Sequence, residues 1–348
     1  MTINKKVIIL FIFIPLSFFI SYLNKGDTLI FISSAIAIIP LAMFMTSITS
    51  KLASYIGNSW GGLLNVTFGN ATELIISIFA ILNGLLSVVK AEITGSIIMN
   101  LLLVPGISFF AGGLKYRTQS FDKLLAITNS AMLMLAGGGM LIPAIFYFAS
   151  PNIKTIVLGK LSLGVAAILL ITYLASLYFT LFIHEREKNE KKEKVEKEAL
   201  IKEIIYLLLI TTLISYEAKI LVSSIEGISR QLNISQTFIG VIILPLLANV
   251  AENYTAIKMA RRNNIDMSIN IAIGSSIQIS LFLVPVLIFL SHLIGRPMNV
   301  LFNILEVSAI FMAVLAVNIV YLQGKSNWFE GLQLFAFYLI IALAFYFA

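Results

Sequence analysis

Residues 69–75 read Gly69-Asn70-Ala71-Thr72-Glu73-Leu74-Ile75, a carboxylate three positions after an asparagine inside a long apolar run. The spacing returns 179 residues later in Ala248-Asn249-Val250-Ala251-Glu252. An ionisable side chain at membrane depth costs about 2.5–3.5 kcal/mol on insertion scales, so it marks a functional site by default. Two of them in matching surroundings point to a duplicated architecture.

The rest of the composition agrees with a membrane setting. The chain of 348 residues is 59% hydrophobic and 12% charged, with a mean hydropathy of +0.97. Soluble domains carry about 25% charged residues, so there is too little polar surface here to coat a soluble globule. Cysteine is absent, which excludes disulfides, thiolate metal sites and cysteine nucleophiles. Of the two histidines, His184 and His292, both fall near predicted helix ends, so imidazole catalysis and zinc binding are disfavoured. No cofactor is expected, and no enzymatic activity.

Apolar runs of about 20 residues can cross a hydrocarbon core. Eleven are read, at about 6–24, 28–50, 61–86, 92–114, 123–149, 156–183, 204–228, 236–260, 267–293, 299–322 and 328–348. The first is read as a retained helix, since no small-x-small cleavage site follows Tyr22. With a cytoplasmic N-terminus, 17 of the 24 Lys and Arg residues fall on the inner side, as the positive-inside rule requires. The net charge of +7 is therefore a topology signal and no nucleic-acid footprint. The expected setting is the cell membrane, with the lipid bilayer as partner and a homo-oligomer left open.

Residues 184–203 are the one soluble-looking stretch, with seven acids and seven bases. Glu187–Lys191, Glu190–Lys194, Glu193–Lys197 and Glu198–Lys202 are i,i+4 pairs in the favourable order, which predicts a cytoplasmic linker helix. The chain then divides into an N-terminal transmembrane helix (1–27), a five-helix repeat (28–183), the linker (184–203) and a second five-helix repeat (204–348). Five is odd, so the second repeat enters from the opposite face. The fold class expected is an all-α polytopic membrane protein with inverted repeats, whose sites lie near the midplane. Further echoes support the duplication. Gly95-Ser96 and Gly274-Ser275 each follow their glutamate by 22 residues, and then come Asn100 or Gln278 and Pro105 or Pro285.

Asn70 and Glu73 share a helix face, as do Asn249 and Glu252. Gly69, and Pro245 four residues before Asn249, should loosen the helices and free backbone carbonyls. Carboxylates, amide oxygens, hydroxyls and carbonyls together make the all-oxygen set that hard cations such as Ca²⁺ prefer. Two glutamates facing each other in a low-dielectric cavity cannot both stay ionised cheaply, so an empty site should hold protons. A divalent cation needs both deprotonated. Such a site holds a cation or protons, never both, and with alternating access that is an antiporter. Glu217 and Glu306 lie inside predicted spans and are further candidates, as proton relays.

GNATELI at 69–75, GSIIMNLLLVPG at 95–106, ANVAENYTAI at 248–257 and GSSIQISLFLVPV at 274–286 resemble the Ca²⁺/H⁺ antiporter (CAX) family of the calcium/cation antiporter superfamily. The resemblance implies that Glu73 and Glu252 are the shared Ca²⁺ and proton sites, and that Asn70, Asn249, Ser96, Asn100, Ser275 and Gln278 form the surrounding cavity. It favours protons over sodium as counter-ion, because the Gly-Thr-Ser-x-Pro-Glu pattern of sodium/calcium exchangers is missing. Two rivals stay open: a Na⁺- or K⁺-coupled exchanger of the same superfamily, and a non-transporting membrane scaffold or receptor. The second motif also departs from the first, with Ala248 in place of the glycine.

Overall fold

The computed structural model describes residues 9–56, 58–150, 154–180 and 197–348. The helices in chain order are α1 (Phe13–Tyr22), α2 (Asp27–Ile56), α3 (Asn58–Gly69), α4 (Ala71–Leu82), α5 (Leu86–Ile98), α6 (Val104–Tyr116), α7 (Lys123–Ala149), α8 (Thr155–Tyr178) and α9 (Lys197–Ser223). They continue as α10 (Ile225–Leu232), α11 (Gln236–Phe238), α12 (Leu244–Ala248), α13 (Val250–Ala260), α14 (Ile265–Gln278), α15 (Val284–Leu293), α16 (Ile304–Tyr321) and α17 (Trp328–Phe347). Two short strands, β1 (Thr118–Ser120) and β2 (Lys325–Asn327), pair antiparallel with Gln119 opposite Ser326.

Among the described residues eight helices are long and apolar enough to cross a membrane, or nine if a bent pair counts as one span. This is fewer than the eleven expected, for a local reason. The described part of the first apolar run, α1, has 10 residues, and the third run is cut at Asn70 into two helices of 12. Residues 184–196 of the expected linker lie outside the described residues. From Lys197 the chain is helical and runs on without a break to Ser223, so the end of the linker and the seventh span are one helix.

Among the described residues three five-residue π-helical turns interrupt the helices, at Met99–Leu103, Ile239–Ile243 and Ile279–Leu283. Each stands immediately before an X-Pro pair: Val104-Pro105, Leu244-Pro245 and Val284-Pro285. Proline has no N–H for the carbonyl four residues back, and its ring crowds that carbonyl. An extra residue in the turn relieves the clash, which is how a π-bulge forms. Pro245 thus acts upstream of itself, over Ile239–Ile243, and the break at Asn249 lies separately beyond it.

The chain separates into two compact units, the first comprising residues 1–83, 171–234 and 247–251 and the second 84–170, 235–246 and 252–348. In the first, Leu41, Met45, Ile48 and Leu52 of α2 bury against Leu207, Ile210 and Ile214 of α9, with Ala71. Lys51 Nζ lies 3.1 Å from Glu203 Oε1 at the end of this seam. In the second, α5 crosses the π turn Ile239–Ile243 at very close range. A Cβ on Gly95 would strike the Val241 carbonyl and come 2.7 Å from Pro245 Cγ, and one on Gly240 would come 2.5 Å from Ala91 Cβ. Small residues spaced by four let backbones approach this way in membranes. The second unit also closes two helix starts with capping boxes, Asn303 with Glu306 and Asn327 with Glu330.

Candidate ion-binding site

Both motif asparagines stand at breaks between two helices. Asn70 separates α3 from α4 with φ −102° and ψ 26°, and Asn249 separates α12 from α13. Asparagine suits a helix boundary because its amide competes with the backbone for hydrogen bonds. Asn70 makes no capping bond to α4 with its side chain. The break forms with Ala248 as it does with Gly69; a glycine before the asparagine is not what creates it.

Each break places its glutamate in the first turn of a new helix, Glu73 in α4 and Glu252 in α13. A half-helix N-terminus carries about +0.5 of an elementary charge, which favours a carboxylate there. The end of the preceding half-helix leaves carbonyls without intrahelical donors. One interruption therefore supplies a carboxylate, an amide and backbone oxygens within a few residues.

In the first unit, Asn70, Glu73 and Asn249 are each only 1% exposed. In the second, Ser275 Oγ donates to the Glu252 carboxylate and accepts from Asn100 Nδ2 at 3.0 Å. Three of the expected residues are thereby joined in one chain of hydrogen bonds. Glu252 Oε2 is shielded from solvent and has no protein partner. Ser96 and Asn100 are buried, whereas Glu252 and Gln278 are half-buried. The matched positions of the two motifs are therefore unequal. The contrast is sharpest at the glycines, since a Cβ on Gly274 would meet nothing within 4 Å.

The two relay candidates are placed differently. Glu217 is fully buried in α9 and accepts from Ser17 Oγ of α1 at 2.6 Å. Glu306 Oε2 accepts from the Asn303 N–H at 2.8 Å, which commits this carboxylate to a helix start.

Sequence reasoning missed Glu92 and Asn253. The fourth apolar run was expected to begin near 92, whereas α5 begins at Leu86 and holds Lys90 and Glu92 inside the helix. Lys90 Nζ is satisfied there by Asn299 Oδ1 at 2.6 Å and the Leu301 carbonyl at 2.7 Å. Glu92, 1% exposed, precedes Ser96 and Asn100 by four and eight residues, the spacing of one helix face. That spacing was a signal available in the sequence. Asn253 Nδ2 donates to Met99 Sδ at 3.4 Å, beside Glu252 in the chain.

The sequence profile described as "Sodium/calcium exchanger protein" matches residues 26–182 and 202–347. The chain belongs to that family. Within it, this exchanger-family chain is 41% identical to a Ca²⁺/H⁺ antiporter of Synechocystis sp., over 99% of its own length and 98% of the relative's. It is 38% identical to vacuolar cation/proton exchanger 2 of rice, over 99% of its length and 82% of the relative's. The crystal structure of the selenium-substituted Ca²⁺/H⁺ antiporter protein YfkE matches it with a TM-score of 0.86 and 36% identity. That match covers 99% of this chain and 100% of YfkE. The family member described here is accordingly a polytopic membrane transporter with no enzymatic chemistry to explain.

Proposed function

We propose that this protein exchanges cytoplasmic Ca²⁺ for protons by alternating access, with Glu73 and Glu252 as the exchanging carboxylates. The observation that carries the reading is the repeated break. In each motif an asparagine interrupts the helix and sets a glutamate on the first turn of the next half-helix. Such half-helices build ion sites in secondary transporters. The Ca²⁺/H⁺ antiporter names of the full-length relatives support the same reading.

In this reading Asn70, Asn249, Ser96, Asn100, Ser275 and Gln278 supply neutral oxygens around the two carboxylates. With Ca²⁺ bound both glutamates are ionised and the ion's charge is balanced. When it leaves, the desolvated carboxylates take up protons. Each state excludes the other, and that exclusion is the coupling. The unequal burial of matched positions supports a conformation in which the repeats are not equivalent, as alternating access requires.

The architecture we assign to the activity is eleven spans: an N-terminal helix (1–27), repeats at 28–183 and 204–348 related by inversion, and the linker at 184–203 between them. The third and eighth spans are then the broken ones. On the distribution of basic residues we assign the N-terminus to the cytoplasm, and we propose the cell membrane as the setting. The family description also names sodium, which keeps Na⁺-driven exchange as the second reading.

Sealed vesicles containing the purified protein test both. An imposed pH gradient should drive Ca²⁺ movement without sodium, and Glu73→Gln or Glu252→Gln should each abolish it. Wild-type exchange in either mutant would end the assignment, and an absolute need for sodium would replace protons as the driving ion.

A further inference from the structure

In the second unit a cavity of about 330 Å³ opens where α6 and α13 end, lined by Lys115, Tyr254, Ile257, Lys258, Arg261 and Arg262. We propose that it is a binding site for the phosphate headgroup of an anionic phospholipid, a function independent of which ions the protein exchanges.

Four of the six lining residues are cations, and among the described residues none of the four lies within 4 Å of a carboxylate, the only such pairs being Lys51–Glu203 and Glu226–Arg230. Asp266, an acid on this end of the unit, accepts from the Asp122 N–H at 2.7 Å. A plainer role for the cations would be to neutralise the C-termini of α6 and α13, where Lys115 and Lys258 occupy the last turns. Each helix end offers only about −0.5 of a charge. Two ends therefore balance roughly one of the four positive charges, and among the described residues no carboxylate within 4 Å balances the other three. Lys115 Nζ and Tyr116 Oη already serve the Arg261 carbonyl, at 3.3 and 3.2 Å.

The walls say which anion. Tyr254 is exposed at 46%, with Lys258 Nζ over its ring at 5.6 Å from the centroid. Ile257 continues the apolar surface. Tyrosine is enriched at the depth where headgroups meet acyl chains, and basic pockets between transmembrane helices recognise anionic headgroups. A free phosphate would use the charges and leave the apolar wall without a purpose. A phospholipid uses both.

The test measures lipid retained by the full-length protein purified from bilayers of phosphatidylcholine containing a minor share of phosphatidylglycerol, read by native mass spectrometry. Wild type should retain phosphatidylglycerol in preference to phosphatidylcholine. The triple change Lys258→Gln/Arg261→Gln/Arg262→Gln should weaken retention roughly a hundredfold, about fivefold for each cation. Removing three cations elsewhere, Lys25→Gln/Arg230→Gln/Arg296→Gln, should leave it unchanged. If the triple variant does not fold, Arg262→Gln alone should show the fivefold loss. Equal retention in wild type and the pocket variants overturns the proposal. So does complete displacement by inorganic phosphate, which would make this a free-anion site. An increase in retention on deleting residues 184–196 would identify that segment as the occupant and overturn it too.

Discussion

Ser275 is a hinge of the polar chemistry because its hydroxyl works in both directions, donating to Glu252 and accepting from Asn100. Ser275→Ala strands a buried amide and removes a donor from the carboxylate, and each loss costs about 1–3 kcal/mol. We expect the Ca²⁺ concentration for half-maximal transport to rise by about tenfold or more, with the protein still folded. Unchanged Ca²⁺ dependence in vesicle flux would show that this chain does not shape the site. Glu217 should behave otherwise. Its bond to Ser17 survives in Glu217→Gln, so transport should persist, whereas Glu217→Leu leaves Ser17 Oγ only its bond to the Ile14 carbonyl and should lower thermal stability. Loss of proton coupling in Glu217→Gln, with folding intact, would instead make it a relay. The glycines give a third contrast. Gly95→Ala places a methyl against the Val241 carbonyl and should abolish folding or flux, while Gly274→Ala should fold normally.

At the scale of elements, the prolines decide more than the apolar runs suggest. A π turn adds a residue to the helix and so rotates everything beyond it by about 100°. Val241, four residues before Pro245, lies in such a turn, and its carbonyl is the group packed against Gly95. Pro245→Ala restores an N–H to that position and favours re-closing the turn as ordinary α-helix. The faces presented by α12, and with them the approach to Asn249, would then turn. We expect Ca²⁺ flux to fall severely in Pro245→Ala with helix content by circular dichroism unchanged; full activity would mean that the turn is held by its surroundings alone.

Over the whole molecule, the absence of cysteine gives a clean background for mapping topology. A single cysteine at Arg117 should react with a membrane-impermeant thiol reagent only from the cytoplasmic side, and one at Gly295 only from the opposite side. Reaction of both from one side would break the inverted-repeat assignment. Protons and Ca²⁺ compete in the proposed mechanism, so Ca²⁺ should protect the solubilised protein from thermal unfolding well above neutral pH and progressively less as the pH falls. The sequence made the duplicated glutamates and most span positions legible, because each leaves a mark in local residue types, whereas the breaks fall on Asn70 and Asn249 and do not depend on the glycine and proline expected to make them. The start of α5 was hidden, since Lys90 is tolerated inside the helix through partners more than 200 residues away. The π turns were hidden too, because a proline announces a disturbed helix without saying that the disturbance takes the form of an added residue. The capping role of Glu306 was present in the spacing Asn303-x-x-Glu306, which a glutamate inside an apolar run does not by itself announce.

The crossing of α5 with the turn at Ile239–Ile243 carries a mechanical meaning. Two helices that touch through side chains can slide, because rotamers give way. These two touch with no rotatable side chain between them, Gly95 seated on a main-chain carbonyl and Gly240 on the Ala91 methyl, and there is nothing soft there to yield. They form a rivet. Ser96 and Asn100, just beyond Gly95, are carried on one side of it, and the run that leads into Asn249 is carried on the other. In the proposed mechanism, a motion that opens and closes the path to the ions swings this pair as a single piece, and the flexing falls to the joints on either side of it.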